Sequence, residues 1–357
     1  MAMHHRIVAL ERIHQPLPSA FDFGPGATYD LITHDTTPTR DLLHARIREA
    51  TIVIVTTITL DPETLSADVA PHLRLVAVMA TGTDLVHLAT CKARGIRVTN
   101  CPAANIDAVS EHAISLYFAA RRRTVLLDRL TREVPSQWKA NRSLNTYMRY
   151  KDGKPPLSCK DEVMGIVGYG ALGKSIASLG RALGMQVLVA ARKPPSSTSS
   201  PTDNVNSLLP PAATAPSNPE DPPRTPFPDV LRRATLLIIS LPRTPSTLSL
   251  LSTPEFAQMH PYAVVVNIAR GGIVDEHAVF SALQSGTIAG YATDVLAVEP
   301  AEGAQDSPLL SDDAKALNIT VSPHLAWFAQ RTLVNLGGIL KDTVEAWVAG
   351  EEINVIA

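Results

Sequence analysis

Val163-Met164-Gly165-Ile166-Val167-Gly168-Tyr169-Gly170-Ala171-Leu172-Gly173 carries a buried-strand pattern straight into G-x-G-x-x-G. A helix pattern follows over residues 174–184 and a second strand over 186–190. The physics asks for glycine at these positions. Gly168 makes the tight strand-to-helix turn, Gly170 lets backbone approach a pyrophosphate, and Gly173 allows close helix-on-sheet packing. The helix N-terminus then turns its partial positive charge toward phosphate. Three glycines alone would fit an ordinary turn; the strand before and the helix and strand after make the stretch a dinucleotide-binding fingerprint and predict a parallel α/β sheet.

The fingerprint starts well inside the chain, so another folded region precedes it. A chain of 357 residues, 45% hydrophobic and with a formal net charge of −2, can bury two cores. No run is long enough to span a membrane, and residues 1–12 read as a charged first strand rather than a signal peptide. The last four residues match no targeting address. Cys91, Cys101 and Cys159 are an odd, scattered set without ligand spacing, which points to reduced thiols in a cytoplasmic setting and to no metal. A pI near 6.6 leaves no nucleic-acid footprint.

Short apolar runs predict strands at residues 6–10, 51–55, 75–79 and 97–99, with helices near 39–50 and 84–94. One long helix is expected over 109–132, with its basic run Arg121-Arg122-Arg123 suiting the helix C-terminus. Further strands are expected at 235–240, 263–268, 288–294 and 319–322, and a closing helix at 328–349. Alternating strands and helices imply parallel sheets with helices on both faces. Residues 194–228 are rich in Pro, Ser, Thr, Asn and Asp, and read as a surface insertion that holds neither helix nor strand. His4, His5 and His14 lack partners at ligand spacing and read as surface residues.

Three segments carry chemistry. Asn267-Ile268-Ala269-Arg270-Gly271-Gly272 puts an arginine at the end of a buried strand, where ligands of open α/β sheets bind. Its guanidinium suits a carboxylate, although an ion pair with Asp275 or Glu276 would also explain it. Asp294-Val295 and Glu299-Pro300 place two acids past the next strand, and Ser322-Pro323-His324 places a histidine past another. Each is commonplace alone; together at successive strand ends they suggest a site.

These segments, in order and spacing across nearly the whole chain, resemble the D-isomer-specific 2-hydroxyacid dehydrogenase family. Ala80-Thr81-Gly82-Thr83-Asp84 resembles its substrate loop, residues 105–120 its interdomain helix, and Ala269-Arg270-Gly271-Gly272 its arginine signature. Residues 184–193 are most similar to the hydroxypyruvate reductase or glycerate dehydrogenase branch, and no regulatory domain like that of many phosphoglycerate dehydrogenases follows. The resemblance implies two Rossmann-like domains with parallel sheets. Residues 1–104 and 325–357 would form a flavodoxin-like substrate domain and 105–324 an inserted cofactor domain, with the active site in the cleft. It implies that Arg270 holds the substrate carboxylate, helped by the N–H groups of Thr81 and Gly82. His324 would exchange the proton at the C2 oxygen while Glu299 orients it. Cofactor contacts would come from Gly168, Gly170, Ala171, Leu172, Gly173, Ala191, Arg192, Lys193, Leu241, Pro242, Ile268, Ala269 and Asp294. It further implies a homodimer, with 138–160 as a contact loop, and a small 2-oxoacid or 2-hydroxyacid substrate such as hydroxypyruvate or glyoxylate.

One departure matters: the family's usual acid for the adenosine ribose falls on Ala191, followed by Arg192 and Lys193. Losing that carboxylate removes a ribose hydrogen bond and a repulsion against a 2′-phosphate, which favours NADP(H) over NAD(H). Two other functions remain open from sequence: a cofactor-sensing, corepressor-like binding protein, and a formate dehydrogenase-like enzyme, whose branch pairs the histidine with glutamine where this chain has Glu299.

Overall fold

The computed structural model describes residues 3–194 and 221–357. They fall into two units, one reaching to Asn105 and resuming over Phe328–Ala357, the other covering Ile106–Trp327.

The first unit is built from β1 (Met3–Ala9), β2 (Ala27–Thr33), α1 (Arg40–Ile47), β3 (Ile52–Val55), β4 (Leu75–Val78), α2 (Leu88–Arg94) and β5 (Arg97–Thr99). Its strands pair in the order β2-β1-β3-β4-β5, all parallel, the flavodoxin-like order. β3 and β4 are buried along their whole length, as unbroken apolar runs covered on both faces must be. β2 escaped the sequence reading because it is an edge strand with no fully buried residue. The C-terminal tail returns to this unit, where Val355 bridges antiparallel to Thr99. His5 is a correction: at 2% exposure it is buried, edge-on to Phe23 and Trp347. His4 and His14 instead meet Asp30 and Glu11 at 3.3 Å.

The second unit opens with α3 (Ile106–Arg121), α4 (Thr124–Arg132) and α5 (Gln137–Asn141). Its sheet unit follows: β6 (Val163–Val167), α6 (Ala171–Ala182), β7 (Gln186–Ala190), β8 (Arg224–Thr225), α7 (Phe227–Arg233), β9 (Leu236–Ile239), α8 (Thr253–Phe256), β10 (Val264–Asn267), α9 (Glu276–Gln284), β11 (Gly290–Thr293) and β12 (Ile319–Val321). The strand order is β12-β11-β10-β9-β6-β7-β8, all parallel, with the reversal between β6 and β9. Alternate residues of β9 feed two cores. Leu236 and Ile238 join Val109, Ala113 and Ile176 on one face, while Leu237 and Ile239 join Phe227, Val230 and Val279 on the other. Among the described residues no helix is long and apolar enough to cross a membrane.

Two expectations need correction here. The long helix over 109–132 breaks after Arg121, because that residue is drawn inside: its guanidinium grips Glu162 through Nε (2.5 Å) and Nη2 (3.0 Å). Arg123 then adopts a left-handed φ of 49° and caps the next helix. Most of the proline-rich stretch, residues 195–220, lies outside the described residues. Its end is not free of structure, however: Arg224–Thr225 pairs with β7 as an edge strand, and Phe227 is 3% exposed in the core. Two residues of strand flanked by prolines leave no periodic signal to read.

Candidate active site

The fingerprint loop packs against itself and the end of β9. Gly168 has φ +101°, and a Cβ there would lie 2.6 Å from the Ser240 carbonyl oxygen. A Cβ on Gly173 would lie 2.1 Å from the Gly168 oxygen, so neither position admits a side chain. At Gly170 a Cβ would meet nothing within 4 Å: this glycine faces open space at the start of α6, beside Ala171 and Leu172 in its first turn. A cradle closed at two corners and open at the third, at a helix N-terminus, fits a dinucleotide pyrophosphate. Leu241 and Pro242 follow β9, with the Leu241 side chain 3.0 Å from where a Gly168 Cβ would be.

Beyond β7, Ala191 donates its N–H to the Thr225 carbonyl at 2.7 Å and offers no carboxylate. Arg192 is exposed. Lys193 is already committed, to Glu255 at 2.9 Å and the Leu250 carbonyl at 3.0 Å. Sequence reading missed the aromatic at the centre of this end: Tyr169 has the Arg224 guanidinium 5.2 Å and the Lys174 ammonium 5.8 Å from its ring centre. Tyr169 stood inside the fingerprint and could have been flagged, whereas Arg224 was hidden in the proline-rich stretch.

Three neighbouring strands, β10, β11 and β12, present the candidate site residues beyond their C-terminal ends. After β10, the Asn267 side chain closes the turn by accepting from Ala269 N (3.1 Å) and donating to Arg270 O (3.0 Å). Ile268 and Ala269 are buried, and the Arg270 guanidinium donates to Ala269 O at 2.8 Å. The two acids that could have claimed Arg270 have other work. Asp275 caps α9 and accepts from Ser252 Oγ at 2.9 Å, while Glu276 accepts from Ala297 N (2.7 Å) and Ser307 Oγ (2.6 Å). Gly271 explains how the next loop closes in, since a Cβ there would sit 1.8 Å from the Leu296 oxygen.

That loop presents Glu299, which accepts from Leu296 N at 2.7 Å and meets His324 Nδ1 at 2.6 Å. The bond to Glu299 raises the His324 pKa above its ordinary value; burial opposes it, the charges of Glu299 and Asp294 reinforce it, and Arg270 works against it. For Glu299 burial acts to raise the pKa, but the His324 bond and charge, the Leu296 N–H and Arg270 outweigh it and hold the carboxyl below its usual range. Glu299, Arg270 and His324 thus share one electrostatic environment. The arrangement can hold an anion and exchange a proton beside it.

Asp294 is 2% exposed and anchors the turn that carries His324. Its carboxylate accepts from Ser322 Oγ (2.6 Å), Leu325 N (3.0 Å) and Ala326 N (2.9 Å), and its carbonyl accepts from His324 N (2.8 Å). His324 itself has a left-handed φ of 55°. Behind Ser322, at 2.9 Å, stands His112 Nε2 from α3. His112 did not stand out in the sequence, since it is a polar residue within a helix that reads as structural, and Ser322 was passed over beside His324 in a segment already read for its histidine. Thr81 and Gly82 lie in the first unit, past the end of β4, where Asn100 Nδ2 donates to Thr81 O at 2.7 Å.

Residues 114–326 match the D-isomer specific 2-hydroxyacid dehydrogenase, NAD binding domain. The chain is 33% identical over 323 residues to glycerate dehydrogenase of Methylorubrum extorquens, covering 90% of each protein. It is 26% identical over 336 residues to hydroxypyruvate reductase of Blautia hydrogenotrophica, covering 93% of this chain and 94% of that one. In fold it is similar to the NADPH-dependent glyoxylate/hydroxypyruvate reductase of Sinorhizobium meliloti solved with citrate, with a TM-score of 0.71 at 24% identity over 99% of this chain and 98% of that one. With a dinucleotide cradle at the sheet's switch point and this match along most of its length, the chain belongs to the D-isomer specific 2-hydroxyacid dehydrogenase family of nicotinamide-dependent oxidoreductases.

Proposed function

We propose that this chain reduces small 2-oxoacids at C2, with hydroxypyruvate and glyoxylate foremost, and that Arg270, Glu299 and His324 are its catalytic set. The observation that carries the reading is the 2.6 Å contact of Glu299 with His324, in the field of Arg270, past three adjacent strands. A bound nicotinamide supplies the hydride. Arg270 holds the substrate carboxylate with its two-pronged guanidinium and draws electron density from the C2 carbonyl. His324, kept protonated by Glu299, gives a proton to the carbonyl oxygen and takes it back in the oxidation direction. Asp294 Oδ1 already accepts from Ser322 and Leu325, but Oδ2 accepts only from Ala326, which leaves it able to take a carboxamide N–H. The names of the relatives favour hydroxypyruvate and glyoxylate.

For the cofactor we favour NADPH. Ala191 has nothing with which to accept from a ribose hydroxyl or to repel a phosphate, and Arg192 is an exposed cation beside it; Lys193, bound to Glu255, is less available. Ala191→Asp is expected to turn the preference toward NADH. We also favour a homodimer with 138–160 as its contact loop, which opens on the exposed Trp138, and a cytoplasmic setting that keeps Cys91, Cys101 and Cys159 as free thiols. The test is a panel of 2-oxoacids against NADH and NADPH, followed by the absorbance of the reduced nicotinamide. Turnover highest with hydroxypyruvate or glyoxylate and NADPH supports the reading. No turnover with any small 2-oxoacid overturns it, and a strong preference for NADH overturns the cofactor assignment.

A further inference from the structure

Hydrogen bookkeeping behind the site gives His112 a task. Ser322 has one hydroxyl hydrogen, and at 2.6 Å from Asp294 Oδ1 that hydrogen goes to the carboxylate, which has none to give. The Ser322 oxygen can therefore only accept from His112 Nε2, 2.9 Å away, so Nε2 carries a hydrogen. The same nitrogen lies 3.5 Å from Asp294 Oδ1. Both lone pairs of Oδ1 are taken, by Ser322 Oγ and Leu325 N, while Oδ2 takes Ala326 N. The two amides belong to the residues immediately after His324, whose left-handed backbone only a well-anchored turn would keep in place. Val109, Ala113 and Leu116 bury the face of α3 that packs on the sheet, so the helix presenting His112 is a fixed mount.

We propose that His112 is a positioning residue for the reaction: through the Ser322 hydroxyl it fixes the Asp294 carboxylate, and through Asp294 the turn that presents His324. The inference rests on reading His324 as the proton donor. Without the Nε2–H, Ser322 is free to rotate its hydroxyl away, Asp294 loses its strongest side-chain partner, and the imidazole loses its aim. The same loss reaches Asp294 Oδ2, the oxygen proposed above to take a carboxamide N–H.

The test uses the full chain with His112→Leu, which removes the donor, and His112→Gln, whose side-chain amide can supply an N–H near the same place. Ser322→Ala breaks the relay one link later and serves if the leucine variant does not fold. His112→Leu and Ser322→Ala should each lower kcat about tenfold, the size of one lost positioning hydrogen bond, with KM for the 2-oxoacid changed less than about twofold. The Kd for NADPH, read from quenching of protein fluorescence, should rise about threefold in both. His112→Gln should recover kcat to within about threefold of the parent. The double variant should be no worse than either single one, because the two residues act in series. Unchanged kcat and Kd, additive losses, or a glutamine variant as poor as the leucine would each overturn the proposal. His324→Ala is measured alongside: if it stays active, the reading of the site fails and this inference with it, whereas an inactive His324→Ala beside an unimpaired His112→Leu overturns this inference alone.

Discussion

Glu162 and Glu299 each hold a cation at opposite strand ends of the same sheet, Glu162 where β6 begins and Glu299 beyond where β11 finishes. Glu162, just before β6, is enclosed with Arg121: their side chains are 0% and 1% exposed, and Tyr117 and Thr235 donate to the same carboxylate. Arginine cannot release its proton in a protein, so nothing passes through this pair. Glu299, past β11, meets a histidine whose side chain is 45% exposed, and its own is 33% exposed. Histidine titrates near neutrality, and solvent can reach this one. The difference teaches what to ask of an ion pair: full enclosure with a permanent cation ties elements together, while partial exposure with a titratable one is suited to exchange a proton.

His324→Ala breaks the comparison most severely. It removes the group proposed to exchange the proton, and kcat should fall by roughly 10²- to 10⁴-fold with the melting temperature little changed. Activity near the parent level would reduce Glu299 and His324 to a surface pair.

Arg121→Met should do the reverse. It leaves Glu162 charged and enclosed without its cation, at a cost of about 3–5 kcal/mol in chemical denaturation, while the pH profile of the surviving enzyme keeps its shape. A loss below about 1 kcal/mol would mean that the enclosed pair does not tie α3 to the sheet.

Glu299→Gln sharpens the contrast through pH. Glu299 raises the His324 pKa, and under the proposed mechanism reduction needs the protonated ring, so the parent rate should fall as pH rises through that raised value. With the charge gone, the pKa drops and the alkaline limb of reduction should move to lower pH, by about one unit or more. Oxidation needs the neutral ring and should gain on its acidic limb. An unmoved profile, with hydride transfer shown to be rate-limiting, would remove Glu299 from the set.

The same contrast explains what could be read from the chain. Runs such as Val264–Asn267 and Leu236–Ile239 declare themselves because a strand covered on both faces is apolar throughout. Arg270 stood out because it follows such a run, and Glu299 and His324 because each follows an expected strand; local sequence is enough to place a residue at a strand end. Arg121 was misread because its partner lies 41 residues away, and nothing in Arg121-Arg122-Arg123 says which arginine turns inward. The ion pair of Lys193 was equally invisible, its partner Glu255 lying on α8. β2 and β8 were lost because edge strands carry no continuous apolar signal. Local pattern reports burial; it does not report who pairs with whom across the fold.

His324 also sets a limit on how stable this protein can be. Its φ of 55° is one that a residue with a Cβ adopts at a cost of about 1–2 kcal/mol, and glycine would hold it almost freely. Evolution toward heat resistance alone would therefore favour glycine at the position where the proposed chemistry needs an imidazole. His324→Gly and His324→Ala lose the same ring contacts, so their difference isolates the backbone. The glycine variant should melt higher than the alanine variant by the equivalent of about 1 kcal/mol, and the parent's stability should lie below what its fold would reach with that turn relaxed and the imidazole contacts kept.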